Sequence, residues 1–168
     1  MITTVQLTGT RAEAPASRIA FLQAGWHAEL TDCARDGFRA ELANTALGPV
    51  TLDFLEVPGP LEIPLQAKVL ARSGHYQAIV GAASAGDIGA YRHDSVADAI
   101  LHGLMQVQLE TGVPILSLVL TPQQSTEHAM HHEFSPRLLT RKGGEVARAC
   151  AATMLHAAEV SALLDSFR

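Results

Sequence analysis

The sequence predicts an α/β fold: a single-domain, three-layer αβα sandwich around a four-stranded, mainly parallel sheet. Three observations carry this. Short continuous apolar runs, such as residues 18–24 (RIAFLQA) and 113–120 (VPILSLVL), alternate with segments whose apolar residues recur every three to four positions. The runs are apolar at odd and even positions alike, as strands covered on both faces must be. Glycine, proline and serine punctuate the chain between them.

Taken in order, residues 1–17 read as a flexible N-terminal arm, since residues 8–17 are small and polar and include Pro15. The domain then spans residues 18–168. Residues 18–24 form the first expected strand. Leu30, Ala34, Phe38 and Leu42 recur every four residues and mark a helix. Gly48-Pro49 ends that unit, and residues 50–57 alternate in strand fashion. Residues 61–71 are helical again and close at Ser73-Gly74. Residues 76–83 give a third strand. Residues 94–110 give a helix with Val96, Ile100, Leu104 and Val107 on one face, ended by Thr111-Gly112. Residues 113–120 give the fourth strand, and the alanine-rich stretch 143–164 is the last helix. Strands alternating with helices imply helices on both faces of a parallel sheet. Ligands of such sheets bind at the carboxyl ends of the strands.

With 168 residues and 48% hydrophobic composition, the chain suits one well-packed domain. The net charge of −5 and the absence of a basic run argue against nucleic acid as a partner. No apolar stretch reaches membrane-span length, so no membrane partner is expected. The N-terminus lacks a charged segment followed by an apolar one, and the cytoplasm is the expected location. Cys33 and Cys150 stand far apart, in no metal or redox spacing, and read as reduced thiols.

Four loops then hold the candidate chemistry. After the first strand stands Trp26, the only tryptophan, beside His27. A flat aromatic there either stacks on a heterocycle or packs in a core or interface. After the second strand, residues 57–64 read VPGPLEIP. Its three prolines stiffen the backbone, and Gly59 permits a close approach. Glu62 falls in the first helical turn, where it either favours the helix dipole or accepts bonds from ligand hydroxyl and N–H groups. The third loop, residues 81–94 (GAASAGDIGAYRHD), is rich in glycine and alanine and offers backbone N–H groups to an anion. Arg92 could add charge and His93 is of a residue type that can move protons; the alternative is a solvated helix start capped by Asp94. No Walker or dinucleotide fingerprint occurs. His128, His131 and His132 have helical spacing for a shared metal, but no cysteine supports it, and a polar surface segment explains them better. Lys142 and Glu145 open the last helix, either holding an anion or facing solvent.

Several of these segments together resemble the lumazine synthase family. They are VPGPLEIP at 57–64, LETGVP at 109–114, Leu120-Thr121-Pro122, and the lysine-glycine-x-glutamate element at 142–145. The resemblance runs from about Arg18 to the last helix. The Trp26-His27 pair and the Tyr91-Arg92-His93-Asp94 stretch resemble the second type of the family, found beside a more ordinary paralogue in some bacteria.

The resemblance implies a flavodoxin-like strand order and a transferase of riboflavin biosynthesis. The family condenses 5-amino-6-(ribitylamino)uracil with 3,4-dihydroxy-2-butanone 4-phosphate to give 6,7-dimethyl-8-ribityllumazine. It implies no cofactor and no metal. It implies small-molecule partners, a pyrimidine and a sugar phosphate, and self-association to a pentamer or decamer with sites between neighbours. Residue by residue, it places Trp26 at the ring-stacking position, with His27 beside it. Pro60, Leu61 and Glu62 fall at the pyrimidine and ribityl contacts. Ala82, Ala83 and Ser84 fall at the backbone beside the pyrimidine, and Lys142 and Glu145 at positions that contact ligand or order the site. The segment 116–120 leads to a pocket wall supplied across a subunit interface.

The sequence also departs from the family pattern. The usual catalytic histidine position holds Arg92, and His93 directly precedes Asp94, a step of about 100° around a helix. His93 and Arg92 are therefore the expected catalytic pair. The usual phosphate-binding arginine aligns with Phe134, leaving Arg92, Arg137 or the nearby histidines for that task. A non-catalytic or weakly active flavin- or lumazine-binding paralogue is the alternative reading.

Overall fold

The computed structural model describes residues 1–7, 17–26, 28–84, 93–120 and 136–168. Among the described residues, five strands and four helices follow in the order β1 (Ile2–Leu7), β2 (Ser17–Ala24), α1 (Ala28–Leu42), β3 (Val50–Val57), a single 3-10 turn (Pro60–Glu62), α2 (Ile63–Arg72), β4 (Ala78–Ser84), α3 (His93–Thr111), β5 (Ile115–Leu120) and α4 (Pro136–Asp165). They form one sheet in the order β1-β3-β2-β4-β5.

The four expected strands are β2 to β5, and all their pairings are parallel. Their order is the flavodoxin-like one. The chain steps from β2 to β3 in one direction, then crosses back over β2 to β4 and β5. Right-handed crossovers therefore put α1 on one face and α2 and α3 on the other. The helix α4 returns to the first face and packs on α1.

Each of the four parallel strands, β2 to β5, feeds both layers. In β2, Ile19 and Phe21 face Ala34, Phe38, Leu139, Ala147 and Cys150 of α1 and α4. Ala20, Leu22 and Ala24 face Ile63, Ala67, Ile100 and Leu104 of α2 and α3. This period of two is the physical content of the continuous apolar runs. All four residues expected on the inner face of α3, namely Val96, Ile100, Leu104 and Val107, are buried. The helix ends also fall where the turn residues stand: Gly74 follows α2 at φ 72° and Gly112 follows α3 at φ 71°.

Two expectations need correction. The sheet has five strands, not four, and residues 2–7 are not part of a flexible arm. Ile2–Leu7 pairs antiparallel with β3, from Ile2 opposite Leu55 to Leu7 opposite Val50. The physical reason is the β-branched run Ile2-Thr3-Thr4-Val5, which favours an extended strand, together with side-chain anchors. Gln6 Nε2 donates to Thr51 Oγ1 at 2.9 Å, and Thr4 Oγ1 donates to Asp53. Residues 8–16 of the expected arm lie outside the described residues.

Asp53 is the most buried charged side chain of this edge, with 1% exposure. It accepts from Arg18 Nε at 2.6 Å and Tyr76 Oη at 3.0 Å as well as from Thr4. One carboxylate thus ties β1, β2 and the approach to β4 to β3. The last helix is also longer than expected. Thirty residues make it about 45 Å long, whereas strands of six to eight residues span about 20–27 Å. Its turns beyond Met154 are exposed.

Candidate active site

The switch in strand order occurs at β2, whose carboxyl end carries Gly25 and Trp26. Gly25 N–H donates to the Val57 carbonyl at 2.9 Å, so the exits of β2 and β3 are held together. The chain leaving β3 then passes Pro58 and Gly59 and makes the single turn of Pro60, Leu61 and Glu62. Ile63 N–H closes that turn on the Pro60 carbonyl. Pro60 suits the first turn position because it has no N–H to leave unpaired.

Trp26, Pro58, Gly59, Pro60, Leu61 and Glu62 line a pocket of about 210 Å³. Trp26 is 52% exposed and Leu61 is likewise exposed. A side chain as large as tryptophan ordinarily buries more of its surface, so this ring is presented rather than packed away. Glu62 occupies the cap position of α2, but its carboxylate makes no cap hydrogen bond there. Between the indole and the carboxylate stands Gly59. A Cβ on it would lie 2.9 Å from Glu62 Oε2 and 4.0 Å from Trp26 Cε2.

The neighbouring strand supplies Ala82, Ala83 and Ser84, all buried at the carboxyl end of β4. Gly81 just before them admits the α2–α3 layer. A Cβ there would lie 2.9 Å from Ile63 Cγ2 and 3.1 Å from Leu104 Cδ1. Close packing of Ile63 on β4 brings the start of α2, and hence Glu62, down onto the sheet end.

The structure therefore gathers Trp26, Pro60, Leu61 and Glu62 in one pocket beside the strand carrying Ala82, Ala83 and Ser84. It does not bring Lys142 and Glu145 there. Those two lie on α4, in the α1 layer, whereas the turn 60–62 and α2 belong to the opposite layer. Lys142 Nζ donates to Glu145 Oε2 at 2.9 Å, and Arg141 stands 3.6 Å from the other oxygen. The Lys142 hydrogen bond holds the Glu145 carboxyl below its ordinary range. His93 is the first residue of α3. His27, Arg92, Phe134 and the histidines at 128, 131 and 132 lie outside the described residues. Among the described residues, no group of three or more His, Cys, Asp or Glu side chains is placed to hold a metal, and no helix is long and apolar enough to cross a membrane.

Sequence reasoning missed two local features. Gln23, buried in β2, donates to Asp32 Oδ1 at 2.7 Å, and Arg35 binds the same oxygen at 2.7 Å, stiffening the base of the Trp26 loop. A buried glutamine two residues from Gly25 was the available signal. Gly37, in the middle of α1, is the second. Only a close helix approach explains a glycine at that place.

Fold and pocket together define a flavodoxin-like α/β protein with a ring-sized pocket where the strand order reverses. The family model described as 6,7-dimethyl-8-ribityllumazine synthase matches residues 16–158. A 6,7-dimethyl-8-ribityllumazine synthase of Rhodococcus erythropolis is 50% identical over 143 residues, covering 85% of this chain and 92% of that protein. A 6,7-dimethyl-8-ribityllumazine synthase 2 of Pseudomonas syringae pv. tomato is 46% identical over 140 residues, covering 83% of this chain and 82% of that protein. Another synthase 2, from Bradyrhizobium diazoefficiens, is 49% identical over 138 residues, with 82% of each chain covered. This chain belongs to the 6,7-dimethyl-8-ribityllumazine synthase family.

Proposed function

We propose that this chain is a lumazine synthase of riboflavin biosynthesis, with the Trp26 pocket as its pyrimidine subsite. It condenses 5-amino-6-(ribitylamino)uracil with 3,4-dihydroxy-2-butanone 4-phosphate to 6,7-dimethyl-8-ribityllumazine. The observation that carries the subsite is the half-exposed indole of Trp26 standing over residues 58–62 at the carboxyl end of the sheet.

The reaction forms an imine between the amine and the ketone, eliminates inorganic phosphate, and closes the ring by a second condensation. Its main demand on the protein is to hold two reactants in register. In this reading the pyrimidine ring stacks on Trp26 and passes along Pro60 and Leu61. Glu62 accepts from hydroxyl groups of the ribityl chain, which its unused carboxylate supports. The main chain at Ala82, Ala83 and Ser84 borders the ring, and His27 is assigned to substrate binding with Trp26. His93, at the start of α3, moves the protons of imine formation and elimination, and Arg92 is assigned positive charge for the phosphate.

Lys142 and Glu145 join the site from a second copy, since in one chain they sit in the opposite layer. Self-association is supported by the apolar residues that α2 and α3 leave exposed, including Leu65, Val69, Met105 and Leu109. A pentamer, or two pentamers paired as a decamer, in the cytoplasm completes the proposal.

The test is a steady-state assay of purified protein with both substrates, run beside Trp26→Ala. Wild-type protein should form a product with lumazine fluorescence. Trp26→Ala should keep its fold and raise the KM for the pyrimidine about tenfold or more, since base–aromatic stacking contributes about 1–3 kcal/mol. Quenching of Trp26 by the pyrimidine with no turnover would instead mark a binding protein. An unchanged KM in Trp26→Ala would remove the pyrimidine from this pocket.

A further inference from the structure

We infer that the crossing of α1 and α4 at Gly37 and Gly143 is a positioning device for Lys142 and Glu145. This deepens the proposal above and rests on its reading that those two residues join the site, with the Lys142 ammonium holding the anionic group of the sugar phosphate. Gly37 sits inside α1 and Gly143 inside α4, where glycine costs about 1 kcal/mol relative to alanine.

The crossing explains both. A Cβ on Gly37 would collide with the carbonyl group of Thr140, and a Cβ on Gly143 with the carbonyl group of Ala34 and, at 2.8 Å, with Phe38 N. The helices therefore meet backbone to backbone at two points, Thr140 and Gly143. Lys142 lies between them. A contact between main chains has no rotamer to absorb a displacement, so the path of α1 sets the place of Lys142. The side chain itself points outward and is tied to Glu145 one turn on. On the exposed side of the crossing, Arg148 Nη1 binds Glu41 Oε1 at 2.8 Å and closes the same joint.

Gly144 provides the contrast within the same turn. A Cβ there would meet Glu41 Cβ at 3.6 Å and Cγ at 3.7 Å, which are ordinary contacts. Close approach is therefore required at Gly37 and Gly143 and merely permitted at Gly144. Gly37→Ala must push α4 away from α1, and a misplacement near 1 Å in a reacting site can lower the rate about a hundredfold.

The experiment compares Gly37→Ala, Glu41→Gln, Gly144→Ala and Lys142→Ala in the full chain. Its readouts are KM and kcat for the sugar phosphate, pyrimidine affinity from Trp26 fluorescence, and native mass. Gly37→Ala should lower kcat/KM for the sugar phosphate about ten- to a hundredfold, with KM raised, and leave pyrimidine affinity and native mass unchanged. Glu41→Gln frees Arg148 to compete for Glu145 and should raise that KM about two- to threefold. Gly144→Ala should match wild type. In a Lys142→Ala background the effects of Gly37→Ala and Glu41→Gln should vanish, because neighbours acting through one group are not additive.

Effects that persist without Lys142 overturn the inference, as does a folded Gly37→Ala with wild-type KM. If Gly37→Ala does not fold, Glu41→Gln with and without Lys142 decides on the same terms. A Lys142→Ala enzyme with unchanged KM shows a different failure, that of the substrate contact itself, and the inference falls with it.

Discussion

Gly59 stands between Trp26 and Glu62 and leaves the space between the ring and the carboxylate open by having no side chain. Its φ of −146° is extended backbone open to any residue, so the constraint is space. Gly59→Ala places a methyl group 2.9 Å from Glu62 Oε2. The carboxylate is exposed and can swing away, so stability should change by less than about 0.5 kcal/mol. The pocket between indole and carboxylate should suffer instead. Pyrimidine affinity, followed by Trp26 fluorescence, should fall roughly tenfold while the melting temperature holds. An unchanged affinity would exclude Gly59 from the subsite.

Asp53 leads to a prediction about acid. Burial by itself raises its carboxyl pKa, but the hydrogen bonds from Arg18, Thr4 and Tyr76 outweigh it and leave the group below its ordinary value. The folded pKa thus lies below the unfolded one. The contribution of Asp53 to stability is complete above the ordinary carboxylate range and is lost as pH falls through the folded value. Asp53→Asn should cost about 2 kcal/mol at neutral pH, the scale of hydrogen bonds to a buried charge. It should also flatten the fall in stability below about pH 4. Thermal unfolding followed by circular dichroism across pH 2–7 checks both. A parallel fall in the two proteins would assign the acid sensitivity elsewhere.

The α2–α3 face yields a prediction about assembly. Leu65 and Val69 lie one turn apart on α2, and Met105 and Leu109 one turn apart on α3, all exposed. Lys68 Nζ binds Glu110 Oε2 at 2.7 Å beside them and fastens the two helices together. Met105→Glu should leave this intramolecular joint intact. It should lower the native mass measured by sedimentation, because a charge placed in an apolar interface has no partner. A mass equal to wild type would move the interface to another face.

Much of this was legible in the sequence because the signals are local. Short apolar runs, with alternation at residues 50–57, made β2 to β5 readable, and Val96, Ile100, Leu104 and Val107 marked the inner face of α3. VPGPLEIP fixed the turn that holds Glu62, since proline and glycine act on their own backbone. The edge strand β1 was not legible as a partner of β3. Its six residues are mostly exposed, and their pairing depends on Asp53 and Thr51, which lie some fifty positions away. Lys142 and Glu145 were legible as residues but not as a place, because spacing along one chain does not say which layer of the sandwich a helix joins. Gly37 carried no readable signal by itself. Its meaning appears only against Thr140, across the fold.

The separation of the Glu62 turn, which shares its pocket with Trp26, from Lys142 in the opposite layer has a genetic consequence. If each site draws its ring-binding half from one protomer and its lysine from another, a chain lacking Trp26 and a chain lacking Lys142 carry complementary defects. Co-expressed, they should form mixed assemblies in which some sites receive both intact halves. Two alleles that each fail alone would then restore growth without added riboflavin together, whereas two alleles damaged in the same half would not.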